Sequence, residues 1–134
     1  MNKPQILIID DDQDYCAMVS EVLGDDFICF SGNTGKAGLD RFFNECKPTV
    51  VLVDLNLPDM DGFEICQALR EPHVDHLFSI FVVSGDESVS SKIHAFDAGA
   101  DDYISKPFEL KELVSRINRS VHYIEAQQTI KSDG

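Results

Sequence analysis

Carboxylates, a hydroxyl and an ammonium each follow a short apolar run in this sequence, and side chains of these types could handle a phosphoryl group. A carboxylate can bind a hard cation or attack phosphorus, while a hydroxyl and an ammonium can stabilise phosphoryl oxygens. The pattern therefore predicts phosphoryl chemistry where the runs end. The residues are Asp10, Asp11, Asp54, Ser84 and Lys106, which follow the runs 6–9, 50–53, 80–83 and 103–105.

The apolar runs are typical of strands that are buried on both faces of a parallel sheet. In open α/β sheets the carboxyl ends of the strands share one edge, where ligands bind in a crevice. We therefore expect the four run ends to lie side by side and to form one site. Alone, each residue has an ordinary structural explanation, such as a solvated surface charge for Lys106. Asp12 and Asp14 are expected to be a helix cap and a first-turn acid.

Three neighbouring carboxylates would repel one another strongly. Two like charges about 4 Å apart cost on the order of 4 kcal/mol at an effective dielectric constant of about 20. Asp10, Asp11 and Asp54 can therefore share one site only with a bound cation or a raised pKa. The strand-end ligands all carry oxygen, which favours Mg²⁺ over zinc and leaves room for a phosphoryl group in the coordination shell. The sequence leaves open whether the Lys106–Pro107 bond is cis, an isomer that would fix the direction of the ammonium.

Segments with helical periodicity alternate with the strands. In the first, apolar residues recur from Tyr15 to Leu23, and Gly24 provides a stop signal. The alternation predicts a βα unit repeated five times, with right-handed crossovers and helices on both faces of a parallel sheet. The predicted helices are 15–23, from Thr34 to before Pro48, 63–70, 88–98 and from Glu109 past Val121, with a further strand at 27–30 and a loop at about 71–79.

The length of 134 residues suffices for one domain with a core but not for two. We expect that domain over residues 1–126, followed by a frayed polar tail or the start of a linker at 127–134. Neither a signal peptide nor a membrane span is expected, which indicates a cytoplasmic protein. A net charge of −13 argues against binding duplex DNA, because phosphate contacts need clustered Lys and Arg. The predicted reduced core thiols are Cys16, Cys29, Cys46 and Cys66.

Longer motifs surround the strand-end residues, and in their order and spacing the chain resembles the receiver domain of two-component response regulators. The resemblance covers about residues 5–124. It implies an α/β, flavodoxin-like, doubly wound (βα)5 fold with five parallel strands in the order 2-1-3-4-5 and five helices on both faces. The matching segments are IIDDD at 8–12, VDLNLPDMDG at 53–62, VSG at 83–85 and GADDYISKPF at 99–108.

The resemblance implies that Asp54 accepts a phosphoryl group from a sensor histidine kinase or a histidine phosphotransfer protein. The carboxylates of Asp11 and Asp54 and the main-chain carbonyl of Asn56 would hold Mg²⁺, with Asp10 acting mainly through a bound water. Lys106 would contact the phosphoryl oxygens. The chemistry would be confined to Mg²⁺-dependent self-phosphorylation and autodephosphorylation, so the chain is not expected to be an enzyme that turns over an external substrate.

The resemblance also implies a conformational switch. In the family the hydroxyl at Ser84 moves to bond the phosphoryl group, and the aromatic side chain at Tyr103 rotates inward behind it. The side chains at Asn56 and Asp86 flank the acceptor and in relatives tune hydrolysis, and polar groups at both positions favour fairly quick hydrolysis. The switch would control a downstream effector or effector domain. The sequence leaves open whether the receiver is free-standing or part of a longer regulator.

The stretch from Lys92 to Arg119 resembles receivers that pair through the fourth helix, fifth strand and fifth helix. Ile117 departs from that subgroup, in which many members carry a charge at this position. A homodimer is therefore a hypothesis that charge alone does not establish, since exposed charges on helices are more often solvated. The matching charged positions are Lys92, Asp101, Asp102, Glu112, Arg116 and Arg119.

Three alternatives compete with this interpretation. A phosphatase of the haloacid-dehalogenase type also uses a strand-end Asp, Mg²⁺ and a Lys, but it attacks from the first strand. It also needs Thr or Val where this chain has Asp14, and would be labelled on Asp10 rather than Asp54. A receiver fold kept only for docking would not need the intact site and would fail to bind Mg²⁺. A nucleotide-binding flavodoxin-like protein would need a Gly-rich phosphate loop after the first strand.

Overall fold

The computed structural model describes residues 3–133 and contains five βα units in sequence. The strands form one parallel sheet in the order β2-β1-β3-β4-β5, which confirms the predicted fold. The elements are β1 Gln5–Ile9, α1 Gln13–Leu23, β2 Ile28–Gly32, α2 Gly35–Asn44, β3 Val50–Asp54, α3 Gly62–Leu69, β4 Ser79–Ser84, α4 Val89–Asp97, β5 Asp102–Ser105 and α5 Leu110–Asp133.

The core lies on both faces of the three central strands. Alternate residues of β1 and β3 point to opposite faces, so that Leu7 and Val51 face one layer and Ile8 and Leu52 face the other. Helices α2, α3 and α4 cover the first face, while α1 and α5 cover the second. Burial on both faces explains why these strands are continuous apolar runs rather than alternating ones. The sheet edge at the carboxyl ends is left open between the helices.

Side-chain caps start the helices where the sequence indicates. The Asp12 carboxylate accepts a hydrogen bond from the Tyr15 N–H at 3.0 Å and begins α1. The Thr34 hydroxyl accepts one from the Ala37 N–H at 3.0 Å and begins α2. Both caps satisfy N–H groups that a helix leaves without partners in its first turn. The acidic residues beside the strand-end site are therefore divided between capping and the site itself.

The structure differs from the prediction at the end of α5 and at β2. Helix α5 continues to Asp133, so residues 127–133 are helical rather than frayed, because no Gly or Pro interrupts the helix before Gly134. Gly134 itself lies outside the described residues, and the domain boundary at residue 126 stays a prediction. Strand β2 begins at Ile28 and continues to Gly32, two residues beyond the predicted end. At Gly32 the absence of a side chain lets α2 approach, since a Cβ there would lie 2.5 Å from the Gly38 nitrogen.

The cysteines are free thiols, and three of them belong to the core as predicted. Burial raises the pKa of Cys16 and of Cys46 to about 11 and that of Cys66 to about 12. Cys29 is only half-buried. Thiols with a raised pKa are poor nucleophiles, which fits a packing role for the three buried ones. Within residues 3–133, no helix is both long and apolar enough to cross a membrane.

Candidate functional site

Three carboxylates meet at the open edge of the sheet. Asp54 is the last residue of β3, Asp10 follows the adjacent β1, and both are buried, with 6% and 3% exposure, while Asp11 is exposed. One oxygen from each carboxylate lies within 4.8 Å of the others. The structure thus brings together the three acids that the sequence places at neighbouring strand ends. Oxygens in this arrangement could hold a divalent cation such as Mg²⁺.

Backbone hydrogen bonds orient the two buried carboxylates. Asp10 Oδ1 accepts from the Asp12 N–H at 3.0 Å, and Asp54 Oδ1 accepts from the Asn56 N–H at 3.2 Å. The main chain of Asp10 is held in addition by the Asn33 side-chain amide, which donates to its carbonyl oxygen at 2.9 Å. Each carboxylate therefore keeps one oxygen engaged by its own loop and presents the other to the site.

The electrostatics of Asp10 reflect this crowding. Burial raises the pKa of its carboxyl above the ordinary value, and the nearby negative charge of Asp54 raises it further. The Asp12 N–H and the Lys106 ammonium act in the opposite direction without cancelling the effect of burial. A cation bound between the carboxylates would favour their charged forms. The sequence predicts that the three carboxylates need either a bound cation or a raised pKa, and the pKa of Asp10 is raised.

Lys106 supplies the positive charge of the site. It follows β5, its peptide bond to Pro107 is cis, and its N–H donates to the Ser84 carbonyl at 2.7 Å. Its Nζ lies 3.4 Å from Asp10 Oδ2. Nζ also lies 5.2 Å from the centroid of the Tyr15 ring, within cation–π range. Sequence reasoning assigned Tyr15 only to the apolar face of α1, although its place five residues after Asp10 was a signal of proximity to the site.

The hydroxyl predicted for the site lies on the strand next to Asp54. Ser84 ends β4 and is almost fully buried, one register position beyond the pair formed by Asp54 and Val83. Its Oγ accepts a hydrogen bond from the Asp86 N–H at 3.1 Å. The hydroxyl hydrogen is thus free to donate to another acceptor. Ser84 therefore ends its strand at the same edge of the sheet as Asp54 and Lys106.

Tyr103 is turned inward in this structure. Its ring is 7% exposed, and its hydroxyl donates to the Asp86 carbonyl oxygen at 2.5 Å and lies 3.0 Å from the Ser91 Oγ. Lys92 Nζ is 5.9 Å from the ring centroid on the outer side. The hydroxyl therefore connects β5 to the loop before α4 and to α4 itself.

Asn56 and Asp86 lie on the exposed rim, in the loops that follow Asp54 and Ser84. Asn56 forms an isolated antiparallel bridge with Asp61, which closes the loop between β3 and α3. Hydrogen bonds from Ser88 hold the pKa of the Asp86 carboxyl below its ordinary value, so this side chain stays ionised at neutral pH. Both side chains are accessible to water at the mouth of the site, as their predicted role in hydrolysis would require.

The charged positions predicted for a dimer face are largely paired within the chain. Arg116 bonds the Asp102 carboxylate at 3.0 Å and the Glu112 carboxylate at 2.8 Å. Asp101 accepts from the Ile80 N–H at 2.8 Å and is paired with Arg70, a residue that sequence reasoning missed because it lies 31 positions away. Arg119 lines the same groove as Asp101, Asp102 and Arg116, and Lys92 lies over Tyr103.

Ile117 is fully buried in the core. Its apolar character reflects packing between α5 and the sheet, so the departure from that subgroup lies in the core, and the dimer stays a hypothesis. Exposed apolar residues of this region lie on α4, where Val89, Ile93 and Phe96 are 71%, 55% and 48% exposed, and on α5, where Tyr123 is 66% exposed.

The amino-acid sequence matches a known family. The model of the response regulator receiver domain matches residues 6–118 of the chain. Among curated relatives, the heme response regulator HssR of Staphylococcus epidermidis is 38% identical over 112 residues, which are 83% of this chain and 48% of that protein. The transcriptional regulatory protein PrrA of Mycobacterium leprae is 33% identical over 99% of this chain and 56% of its own length. The chain thus spans about half the length of the curated relatives it matches.

Solved structures give the same result. A CheY-like receiver domain protein from Methanospirillum hungatei JF-1 has a TM-score of 0.84 at 27% identity, over 94% of this chain and 99% of that one. The receiver domain of DrrB, in a structure described as BeF3-activated, has a TM-score of 0.79 at 30% identity, over 90% of this chain and 99% of that one.

Proposed function

Because this chain belongs to the response regulator receiver domain family, we propose that it is a phosphorylation-dependent receiver whose phosphoacceptor is Asp54. The observation that carries the proposal is the group of three carboxylate oxygens within 4.8 Å of one another, with the Lys106 ammonium 3.4 Å from Asp10. This concentration of negative charge suits a cation, and the ammonium suits an anionic substrate group. Asp54 is the buried carboxylate at the centre of the sheet edge.

The transfer is a displacement at phosphorus. An Asp54 carboxylate oxygen forms a P–O bond while the P–N bond of a donor phosphohistidine breaks, and the imidazole nitrogen keeps the electron pair and takes up a proton. In the later hydrolysis, water attacks phosphorus, the P–O bond to Asp54 breaks with its electron pair left on the carboxylate, and inorganic phosphate leaves with the protons of the water. Both steps place charge on the phosphoryl oxygens, which the Lys106 ammonium would neutralise.

Mg²⁺ is the cofactor that the donor set favours. The carboxylates of Asp11 and Asp54 and the main-chain carbonyl of Asn56 would hold the ion, and Asp10 would act mainly through a bound water. The mutually close carboxylate oxygens, two of them on buried residues, support this assignment, since Mg²⁺ prefers oxygen ligands and keeps some of its waters. When bound, the ion would neutralise the carboxylates and the phosphoryl oxygens together.

Ser84 and Tyr103 form the proposed switch. Asp86 connects them, because its N–H donates to Ser84 Oγ and its carbonyl accepts from the Tyr103 hydroxyl. A Ser84 hydroxyl drawn toward a phosphoryl group would disturb the first bond, and the shared residue would transmit the change to the ring. This chain of contacts supports a two-state element that phosphorylation biases.

Asn56 and Asp86 are proposed to assist hydrolysis of the phosphorylated state, because both polar side chains lie at the mouth of the site. Replacing them with Met and Leu respectively should lengthen the lifetime of phospho-Asp54, measured by loss of the mass gain after the donor is removed. An unchanged lifetime would refute this role.

The proposed donor is a sensor histidine kinase or a histidine phosphotransfer protein, and the proposed target is a downstream effector or effector domain. Relatives named as transcriptional regulators support such an output. Direct nucleic-acid binding by this segment is not proposed, because its net charge is −13. A homodimer through α4, β5 and α5 is proposed on the exposed apolar residues of α4, since the charges of that face are engaged within the chain.

Intact mass after incubation with acetyl phosphate tests the function. With Mg²⁺ the wild type should gain one phosphoryl group of about 80 Da, while Asp54→Ala should gain none. The gain should disappear when Mg²⁺ is chelated. A wild type that binds Mg²⁺ normally but gains no mass from acetyl phosphate or a phosphohistidine donor would overturn the proposal, and failure to bind Mg²⁺ would favour a docking module.

A further inference from the structure

Tyr15 lies beside Lys106, the cation of the candidate site, although it is not among the site residues predicted from the sequence. The Lys106 Nζ is 5.2 Å from the centroid of its ring and 3.4 Å from Asp10 Oδ2. A cation within about 6 Å of an aromatic face is attracted by the electrons of the ring. The ammonium is therefore held between a carboxylate on one side and a ring on the other.

The Tyr15 ring is itself fixed in place. Its backbone N–H is bonded to the Asp12 cap in the first turn of α1, and the ring is half-buried. The Phe108 ring packs edge-on against it, with centroids 6.1 Å apart and planes at 90°. Phe108 follows Lys106 and Pro107 directly, so the segment that carries the ammonium also holds the ring that faces it. A lysine with a flexible four-carbon stem would otherwise sample many positions.

On these contacts, and resting on the function proposed above, we propose that Tyr15 is a positioning residue for phosphoryl transfer, whose ring holds the Lys106 ammonium at the site. The chemistry of a ring suits this task better than that of another carboxylate would. A carboxylate would accept the ammonium hydrogens and compete with the phosphoryl oxygens for them. A ring attracts the charge through its face and leaves N–H groups free to donate to the incoming group. Tyr15 thereby acts through Lys106 and does not touch phosphorus.

The test compares phosphorylation rates across variants that separate the ring from the hydroxyl. Intact mass over time, at several acetyl phosphate concentrations with saturating Mg²⁺, gives the rate constant and the donor concentration for half-maximal rate. Tyr15→Leu should lower their ratio roughly 3- to 10-fold, the range expected for losing one partly desolvated cation–π contact. Tyr15→Phe keeps the ring and should stay within about twofold of the wild type. Tyr15→Met, which is unbranched and has no π face, should behave as Tyr15→Leu does.

Controls distinguish positioning from general damage. Tyr123→Leu removes a 66% exposed tyrosine of α5 and should leave the rate unchanged. In a Lys106→Met background, Tyr15→Leu should cause no further loss, because the residue through which it acts is gone. Mg²⁺ affinity from calorimetry should be the same in the wild type and in Tyr15→Leu. Thermal unfolding identifies any variant that fails to fold. If either Tyr15→Leu or Tyr15→Met does not fold, the other still tests the loss of the ring.

Three results would overturn the inference alone, given Asp54-dependent phosphorylation of the wild type. Tyr15→Leu and Tyr15→Met could both match the wild type; Tyr15→Phe could be as slow as Tyr15→Leu; or Tyr15→Leu could slow the Lys106→Met protein as much as it slows the wild type. A wild type that gains no phosphoryl group would instead overturn the proposed function and this inference together.

Discussion

Asp10 is a buried carboxylate whose charge works against folding. Burial is the largest cause of its raised pKa, and the neighbouring Asp54 adds to it. A group whose pKa is raised on folding destabilises the folded state once the pH is high enough for it to ionise. The fold thus disfavours the charged form of Asp10, whereas a cation bound beside it would favour that form.

Removing that charge should stabilise the protein while weakening the site. Without Mg²⁺ at neutral pH, Asp10→Asn should raise the free energy of unfolding, because the desolvation cost of the carboxylate exceeds the stabilisation that Lys106 gives it. The amide oxygen can still accept from the Asp12 N–H. Denaturant unfolding measures the effect, and Asp11→Asn, at an exposed position, should change stability by less than about 0.5 kcal/mol. A clear loss of stability in Asp10→Asn would contradict this account of the charge.

His76 should give the protein a pH-dependent stability near neutrality. Burial lowers the pKa of its imidazole below 6.5, while Nε2 lies 3.1 Å from the Pro48 carbonyl oxygen and donates to it. As the pH falls through 6.5, the unfolded chain takes up a proton more readily than the folded one, so stability falls. His76→Gln should flatten this part of the unfolding free-energy profile. His73→Gln, on the exposed side chain of the same loop, should keep the wild-type slope, and equal slopes in wild type and His76→Gln would refute the prediction.

The residues of the site divide into those that sequence could reveal and those that it could not. Asp10, Asp54, Ser84 and Lys106 could be predicted because each ends an apolar run, and strand ends of a parallel sheet converge. Tyr15 was classified by its helical periodicity, which describes packing but not the direction of one ring. Arg70 pairs with Asp101 across 31 positions, and no local pattern predicts such a contact.

Among the elements, β2 and α2 approach each other closely at Gly32. A Cβ on Gly32 would lie 2.5 Å from the Gly38 nitrogen and 2.6 Å from its Cα, both backbone atoms that cannot rotate away. The strand can therefore extend to Gly32 only while that position lacks a side chain. Periodicity predicted a shorter strand, because glycine is a weak strand former. The close approach of the α2 backbone to Gly32 produces no apolar pattern in the sequence.

Glycine substitutions test this contact. Gly32→Ala should destabilise the protein by about 3 kcal/mol, at the upper end for overpacking, because backbone atoms must move. Gly85→Ala is the matched control: a Cβ there has nothing within 4 Å, so stability should stay the same or rise by about 0.5 kcal/mol. Thermal or urea unfolding compares the two. A Gly32→Ala protein as stable as the Gly85→Ala protein would show that α2 can move away without cost.

Helix ends were predicted well at their start and less well at their finish. Asp12 and Thr34 are caps whose side chains mark the first turn in the sequence itself. The end of α5 was placed too early because polar composition was taken for fraying. Residues such as Gln127 and Gln128 are good helix formers, and without Gly or Pro the helix continues.

At the scale of the whole molecule, one surface carries apolar side chains beside charges that are already paired. Val89, Ile93 and Phe96 recur at helical spacing on α4 and are about half to three-quarters exposed. Strand order and layers followed from the βα alternation and the family resemblance, because handed crossovers allow few arrangements. Whether the charges of the predicted dimer face are free to pair across an interface could not be predicted, since the intramolecular partners of Asp101 and Arg116 appear only in three dimensions.

The proposed dimer should depend on this apolar surface. With Mg²⁺ and beryllofluoride as a phosphoryl mimic, sedimentation should show more dimer than without them, and Ile93→Asp should remove the increase because a charge would be buried in the interface. Val22→Asp alters a residue of similar type on α1, 47% exposed, and should leave the increase intact. A wild type that stays monomeric with the mimic bound, or an Ile93→Asp protein that dimerises as well as the wild type, would contradict the proposal.

Identification of the phosphorylated residue tests the central claim most directly. Borohydride reduces an aspartyl phosphate to homoserine, so peptide mapping after acetyl phosphate and Mg²⁺ treatment reveals the acceptor by its position. We predict homoserine at residue 54 of the wild type and at no position in Asp54→Ala. Homoserine at residue 10 would indicate a phosphatase-type nucleophile instead. If the protein binds Mg²⁺ but homoserine is found at no position after borohydride treatment, Asp54 is not the phosphoacceptor.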